Sequence, residues 1–294
     1  MGAMRPDGAA EAATQGRPSE IEAPTNRLLV HPVSRALVDL LVLTPITPNQ
    51  VSVASVFAAA AGAACYVALA WPWNALAGLA CQFGWHVLDG ADGDLARRTG
   101  RASPIGELVD GVCDHASQGL LYVAFAIVLQ RSLGGWAWAL GWAAALSHFV
   151  QANAYETGRK TYRRWVYDAV WMRQSHGASE GALQRGLGAL YLTFSNLANP
   201  GEAAIEALLA PRLAGGGAGA ERTRAVYRRL YAPLVSASGL FGSNSRTIAA
   251  FLSILAGSPL WFFVYEITVL NLLLAVVTVA RLRCDAQLAA ALAA

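Results

Sequence analysis

Apolar positions fall in long blocks along the chain. Residues 51–70 and 132–155 carry no charge, and residues 247–280 carry only Glu266. Blocks of about 20 residues match the length at which a helix, rising about 1.5 Å per residue, crosses a bilayer core of about 30 Å. Lipid offers backbone groups no external partner, so such blocks are expected as helices. The pattern predicts an all-α protein: a polytopic membrane helical bundle with about six transmembrane helices. The first four spans are expected over 50–70, 75–88, 105–129 and 136–155. Residues 247–280 suit two short spans meeting near Tyr265 and Glu266, or one long helix kinked at Pro259.

Residues 26–43 follow a different pattern. Arg27, Arg35 and Asp39 interleave with Leu and Val at helical spacing, which predicts an amphipathic helix lying on the membrane surface or packed on the rest of the protein. Thr44-Pro-Ile-Thr-Pro-Asn49 then interrupts it, because proline disfavours helix in the residue before it. Trp71-Pro72-Trp73 reads as a turn with interfacial aromatics.

Composition supports the membrane reading. Of 294 residues, 55% are hydrophobic and 14% charged, against roughly 25% charged in a soluble domain. An ordinary soluble enzyme, a collagen, a disulfide scaffold and whole-chain disorder are excluded. Cys65, Cys81, Cys113 and Cys284 form no CxxC pair and lack histidines at zinc-site spacing, so they read as reduced structural thiols.

Charge gives the topology and the domain organisation. With a cytoplasmic amino terminus, 21 of the 22 Lys and Arg residues fall on the inside, leaving Arg131 outside, as the positive-inside rule requires. Residues 1–25 read as a disordered tail. Residues 26–155 hold the amphipathic helix and transmembrane helices 1–4. Residues 156–246 form a basic cytoplasmic insertion with twelve basic and six acidic residues, and 247–294 hold helices 5 and 6 and a tail. The insertion either enforces topology or attracts anionic headgroups or a nucleotide. Its basic residues show no base-reading module, so nucleic acid is not an expected partner.

The chemistry concentrates between residues 89 and 114. There DGADGDLARRTGRASPIGELVDGVCD sets six carboxylates, Asp89, Asp92, Asp94, Glu107, Asp110 and Asp114, against Arg97, Arg98 and Arg101. Charge at the mouth of apolar helices is expensive unless paired or metal-bound. Asp110 and Asp114 share a helix face at four-residue spacing, and Asp89 and Asp92 share one if the second helix continues that far. Two facing carboxylate pairs suit Mg²⁺ or Mn²⁺, one ion or two, since hard cations take oxygen ligands and keep positions open for phosphate. Gly93 and Gly106 would let a ligand approach the backbone.

The spacing Asp89-x2-Asp92-Gly93-x2-Ala96-Arg97-x8-Gly106-x3-Asp110-x3-Asp114 resembles, at every defined position, the signature of the CDP-alcohol phosphotransferases. Thr47-Pro48-Asn49-Gln50-Val51-Ser52 is similar to the segment opening the first membrane helix in that family. The resemblance implies six transmembrane helices, a homodimer, two divalent ions, and cleavage of a CDP-linked donor by a lipid or alcohol hydroxyl acceptor with release of CMP. It implies Asp89, Asp92, Asp110 and Asp114 as metal ligands, with Asp114 also the general base. Gly93, Arg97 and Ser103 would line the CDP site, with Asn49 and Ser52 as further substrate-binding candidates, and the active site would face the cytoplasm.

Two directions of transfer stay open: a soluble headgroup passed from its CDP derivative to a membrane-embedded hydroxyl, or a phosphatidyl group passed from CDP-diacylglycerol to a soluble alcohol. Relatives that accept sugar phosphates often carry an Arg-Ala pair near the end of the fourth helix, where this chain reads Gln151-Ala-Asn-Ala-Tyr-Glu156. That departure favours the first direction, although Arg159, Lys160, Arg163 and Arg164 follow closely. An intramembrane prenyltransferase would use other aspartate spacings. A cation transporter would place its carboxylates at mid-membrane between broken-helix repeats.

Overall fold

The computed structural model describes residue 18 and residues 20–169 and 201–293. Among these there is no strand, and the all-α reading holds. A π-turn over Asn26–Val30 leads into α1 (His31–Leu41), followed by α2 (Pro48–Ala68), α3 (Trp73–Arg98), α4 (Pro104–Leu133) and α5 (Trp136–Tyr167). After the undescribed residues come α6 (Glu202–Ala214), α7 (Gly217–Ala237), α8 (Ser243–Leu255) and α9 (Leu260–Ala293), the last containing a π-segment at Tyr265–Leu270. Much of the expected tail and the stretch 170–200 of the expected insertion lie outside the described residues.

Among the described residues three helices are long and apolar enough to cross a membrane: Pro48–Ala68, Leu108–Leu133 and Leu260–Ala293. The apolar patterning suggests about six. α3 and α5 have the length, but polar residues interrupt their apolar runs: Gln82, His86 and Asp92 on α3, and Gln151, Asn153 and Thr157 on α5, all buried. α8 has 13 residues and spans only about 20 Å.

The turn in the last apolar block is not at Tyr265 and Glu266. It lies at Gly257, whose φ of +90° suits glycine, just before Pro259. Ser253 fastens it, its hydroxyl donating to the Ser258 carbonyl at 2.7 Å and accepting from the Phe262 amide at 2.9 Å. Glu266 is instead fully buried and paired with Arg246, whose Nε donates to Oε1 at 2.9 Å. The polar stretch from Asp89 is likewise helical as far as Arg98, and α5 runs past Tyr155 to Tyr167.

Contacts divide the chain into two compact units. The first comprises Ala23–His148 and Gly242–Leu270, and the second the described parts of Met1–Glu22, Phe149–Phe241 and Asn271–Ala294. In the first, α2 packs closely on α3 because small residues let the helices approach. A Cβ at Gly78 would lie 2.3 Å from the Tyr66 ring, which also meets Phe125 edge-on. Phe125, Tyr122, Phe262 and Phe263 continue this core. Val38 of α1 packs with Val51, Ala91 and Leu95, while Leu28, Leu29, Leu40 and Leu43 stay exposed, so the amphipathic segment shows both a packed face and a free apolar one.

The turns of the first unit share a feature. Trp71 before α3, Trp73 at its first position, Trp136 at the start of α5 and Trp261 at the start of α9 are all exposed, as at a membrane interface. From these tryptophans to Asp92 along α3, and from the end of α4 back to Asp114, the helical rise is about 28 Å, close to one bilayer core. The carboxylates therefore lie at the opposite end of α3 and α4 from the tryptophans, about one core thickness away.

The second unit packs Tyr162, Trp165, Ile205, Leu209, Tyr227, Tyr231 and Leu288. Tail composition does not anticipate that Ile21 is buried in this core, or that Glu20 accepts from the Tyr162 and Tyr167 hydroxyls at 2.5 and 2.8 Å.

Candidate metal centre

The local sequence sets up each element of the site. Thr47 begins α2 with a capping box: its hydroxyl accepts from the Gln50 amide and its own amide donates to Gln50 Oε1 at 2.9 Å, so two end donors of the helix are satisfied. Pro48 then occupies the first helical turn, where its missing N–H is harmless. Asn49 and Ser52 thus fall in the opening turns of α2. Ser103 caps α4 in the same way, its hydroxyl accepting from the Gly106 amide at 3.0 Å.

Three of the predicted ligands converge. Asp89, Asp110 and Asp114 each offer a carboxylate oxygen, and these oxygens lie within 4.8 Å of one another. Asp114 Oδ1 is buried without a hydrogen-bond partner among the described residues. An orphaned carboxylate oxygen beside two other carboxylates is unfavourable unless a cation completes it. An all-oxygen donor set of this compactness suits a hard divalent ion, so the residues fit the metal that the signature implies.

Asp92, the fourth predicted ligand, is not part of that trio. It is buried, accepts from the Ser52 hydroxyl at 2.5 Å and from the Gly93 amide at 2.5 Å, and lies one turn beyond the apolar stretch of α3. Burial first, then repulsion from Asp110 and Asp89, pushes its carboxyl up to about 8, against the opposing pull of Ser52 and Gly93. The repulsion from Asp110 and Asp89 places Asp92 in the electrostatic field of the trio. Ser52, a secondary candidate in the sequence, is therefore tied directly to the acidic motif.

The remaining candidates sit around the rim. The Arg97 guanidinium lies across Gly93, its Nη1 3.4 Å from the position of a Cβ there, and it pairs with Asp94. A side chain at Gly93 would press on that guanidinium, which gives the glycine a local reason. A Cβ at Gly106 would lie 3.2 Å from Ser103 Oγ and 3.5 Å from Asn49 Oδ1, so Asn49, Ser103 and Gly106 form one edge. Arg98 pairs with Asp39 of α1. Asp94, which the signature leaves undefined, thus holds Arg97 rather than joining the cluster.

The basic residues that follow Glu156 are already engaged. Within the second unit Arg159 pairs with Glu156 at 2.9 Å, Arg164 with Glu206 at 2.7 Å, and Arg224 with Asp168 at 2.6 Å. Arg164 also stacks on the Trp165 ring. Asn153 donates to the Phe149 carbonyl at 2.7 Å and Gln151 to Asn271 at 2.8 Å.

Sequence reasoning missed the buried polar residues deeper in the first unit: Ser117 and Gln118 on α4, and the Arg246–Glu266 pair. The first two could have been found by continuing the Asp110–Asp114 spacing by one turn.

A family model for CDP-alcohol phosphatidyltransferase matches residues 45–172, a stretch that contains every residue of the site. A comparison with curated proteins finds no match.

Proposed function

Taking residues 45–172 as a CDP-alcohol phosphatidyltransferase segment, that is, part of a family of membrane transferases of substituted phosphate groups, we propose that the chain moves a substituted phosphate from a CDP-linked donor to a hydroxyl acceptor and releases CMP. The observation that carries this reading is the convergence of Asp89, Asp110 and Asp114, with one buried oxygen of Asp114 unmatched.

In this reading Asp89, Asp92, Asp110 and Asp114 hold one or two divalent ions, Mg²⁺ or Mn²⁺. When bound, such ions shield the pyrophosphate and stabilise charge on the departing CMP. Gly93 gives the donor room at the α3 backbone, and Arg97, held by Asp94, offers its guanidinium to a phosphate oxygen. Asn49 and Ser103 line the edge beside Gly106, and Ser52 fixes Asp92. Asp114 takes the proton of the acceptor hydroxyl. The hydroxyl oxygen forms a bond to the distal phosphorus, the bond from that phosphorus to the bridging oxygen breaks, and CMP leaves with the electron pair.

The donor is proposed to be a soluble CDP-alcohol and the acceptor a membrane-embedded hydroxyl. The sequence Gln151-Ala-Asn-Ala-Tyr-Glu156, which lacks the Arg-Ala pair of relatives that accept sugar phosphates, supports this. The active site is proposed to face the cytoplasm and the protein to act as a homodimer. The test is CMP release by detergent-purified protein offered CDP-choline, CDP-ethanolamine, CDP-inositol or CDP-diacylglycerol, each with lipid and soluble acceptors. CMP from a soluble CDP-alcohol with a lipid acceptor is expected. CMP only from CDP-diacylglycerol with a soluble alcohol would reverse the direction, and none from any pair would reject the reading.

A further inference from the structure

The face of α4 that carries the carboxylates continues as a polar line into the membrane. Asp114, Gln118 and Tyr122 follow one another at four-residue steps with Ser117 alongside, so they share one side of the helix. They run from the carboxylate end towards the tryptophan end. Ser117 is 2% exposed and Gln118 7%. Ser117 Oγ, Gln118 Oε1 and the adjoining Asp114 Oδ1 are buried polar atoms without a hydrogen-bond partner among the described residues. α3 and α4 both pack chiefly on α2 rather than on each other, although their carboxylates meet at the mouth.

The inner end of the line is electrically closed. Tyr122 and His148 face Arg246, and Arg246 is fully buried against the equally buried Glu266. The guanidinium at this depth is therefore already neutralised. An unsatisfied buried amide or hydroxyl costs about 1–3 kcal/mol, and hydrocarbon offers no water to relieve it. Two of them lie within the next turn beyond Asp114, which points to a ligand that satisfies them. Amide and hydroxyl groups can donate and accept without charge. A phosphate-bearing ligand would need a cation that Glu266 has not claimed.

We propose that Ser117 and Gln118 form the acceptor subsite, binding an uncharged hydroxyl-bearing group and presenting its reacting hydroxyl to Asp114. This deepens the transferase reading and rests on it. Gln118 hydrogen-bonds a polar atom next to the reacting hydroxyl, and Ser117 accepts or donates a second bond. Because Arg246 at the inner end of the line is held by Glu266, it gives an anionic acceptor no cation there.

The test compares Gln118→Leu, Ser117→Ala and, as a control, Gln82→Leu. Gln82 Nε2 is another buried atom without a partner, but it lies against Gly62 of α2. Thermal stability and the apparent constants for donor and acceptor are measured by CMP release with diacylglycerol or a phosphate-bearing polyol as acceptor. Gln118→Leu should raise the acceptor constant about 10-fold or more, at the scale of one lost hydrogen bond in a desolvated site. The donor constant should stay within about two-fold and thermal stability should not fall, because leucine removes an orphaned polar group. Ser117→Ala should move the acceptor constant in the same direction, Gln82→Leu should leave it unchanged, and the phosphate-bearing acceptor should give no turnover. An unchanged acceptor constant in both Ser117→Ala and Gln118→Leu, an equal change in Gln82→Leu, or efficient use of the phosphate-bearing acceptor would overturn the subsite while leaving the transferase reading in place. Absence of CMP from every pair would overturn both.

Discussion

Two charged constellations lie in the first unit, and they are built on opposite principles. At the mouth of α3 and α4, Asp89, Asp110 and Asp114 bring like charges together and leave a buried oxygen unmatched. Between α8 and α9, Arg246 and Glu266 bring opposite charges together at 2.9 Å with both side chains fully buried. The first arrangement lacks counter-charge, and the second supplies its own. Burial alone therefore does not mark a functional site; a missing counter-charge does. The closed pair has a structural task, joining the short α8 to the π-segment of α9.

The strongest way to break the contrast is at Asp114. Asp114→Asn keeps the shape of the side chain but removes the base, and turnover should fall by about 10²- to 10⁴-fold, the range for loss of a positioned proton acceptor. Donor binding should largely remain. CMP release under saturating donor, together with a direct donor-binding measurement, checks both parts. Thermal stability of this variant should hold or rise, because one of three repelling charges is removed.

The closed pair should respond in the opposite sense. Glu266→Gln leaves the Arg246 guanidinium buried without its counter-charge, and stability should drop by about 3–5 kcal/mol. The double variant Arg246→Met with Glu266→Leu should recover most of that loss, since replacing both charges by apolar groups of similar volume is often neutral. Thermal unfolding in detergent distinguishes the two. A single variant as stable as wild type would mean that the pair does not bridge α8 and α9 as described.

Two smaller effects sharpen the account of the mouth. Ser52→Ala removes the hydroxyl that holds Asp92 at 2.5 Å, and apparent metal affinity should weaken about 10- to 100-fold, the usual consequence of losing a group that orients a ligand. A titration of activity against Mn²⁺ reads this out. Thr47→Ala breaks the capping box and should cost about 1 kcal/mol of stability, with a fractional loss of activity because α2 carries Ser52.

Local spacing made most of the site legible. Asp110 and Asp114 share a helix face at any helix position, and the Asp89–Asp92 face needed only that α3 continue to Arg98. Resemblance supplied Ser52 as a candidate; its bond to Asp92 spans 40 residues of sequence and has no local signal. The Arg246–Glu266 pair was hidden for the same reason, and a polar residue within an apolar block imitates a turn. The real turn at Gly257 depends on a positive φ that one glycine among 28 does not announce. Net charge over 156–246 carries no pairing information, so the acidic neighbours of Arg159, Arg164 and Arg224 have no signal in a count of residues. Ile21 lies within a stretch whose composition hides a single buried anchor.

The central claim is that the carboxylates at the mouth of α3 and α4 serve a divalent cation in a CMP-releasing transfer. The most direct measurement is CMP release by the purified wild-type protein, after exhaustive chelation and after restoring Mg²⁺ or Mn²⁺, with a donor and acceptor pair that supports turnover before chelation. The account predicts loss of turnover on chelation and recovery on adding back either ion. Full turnover in the chelated protein would contradict it.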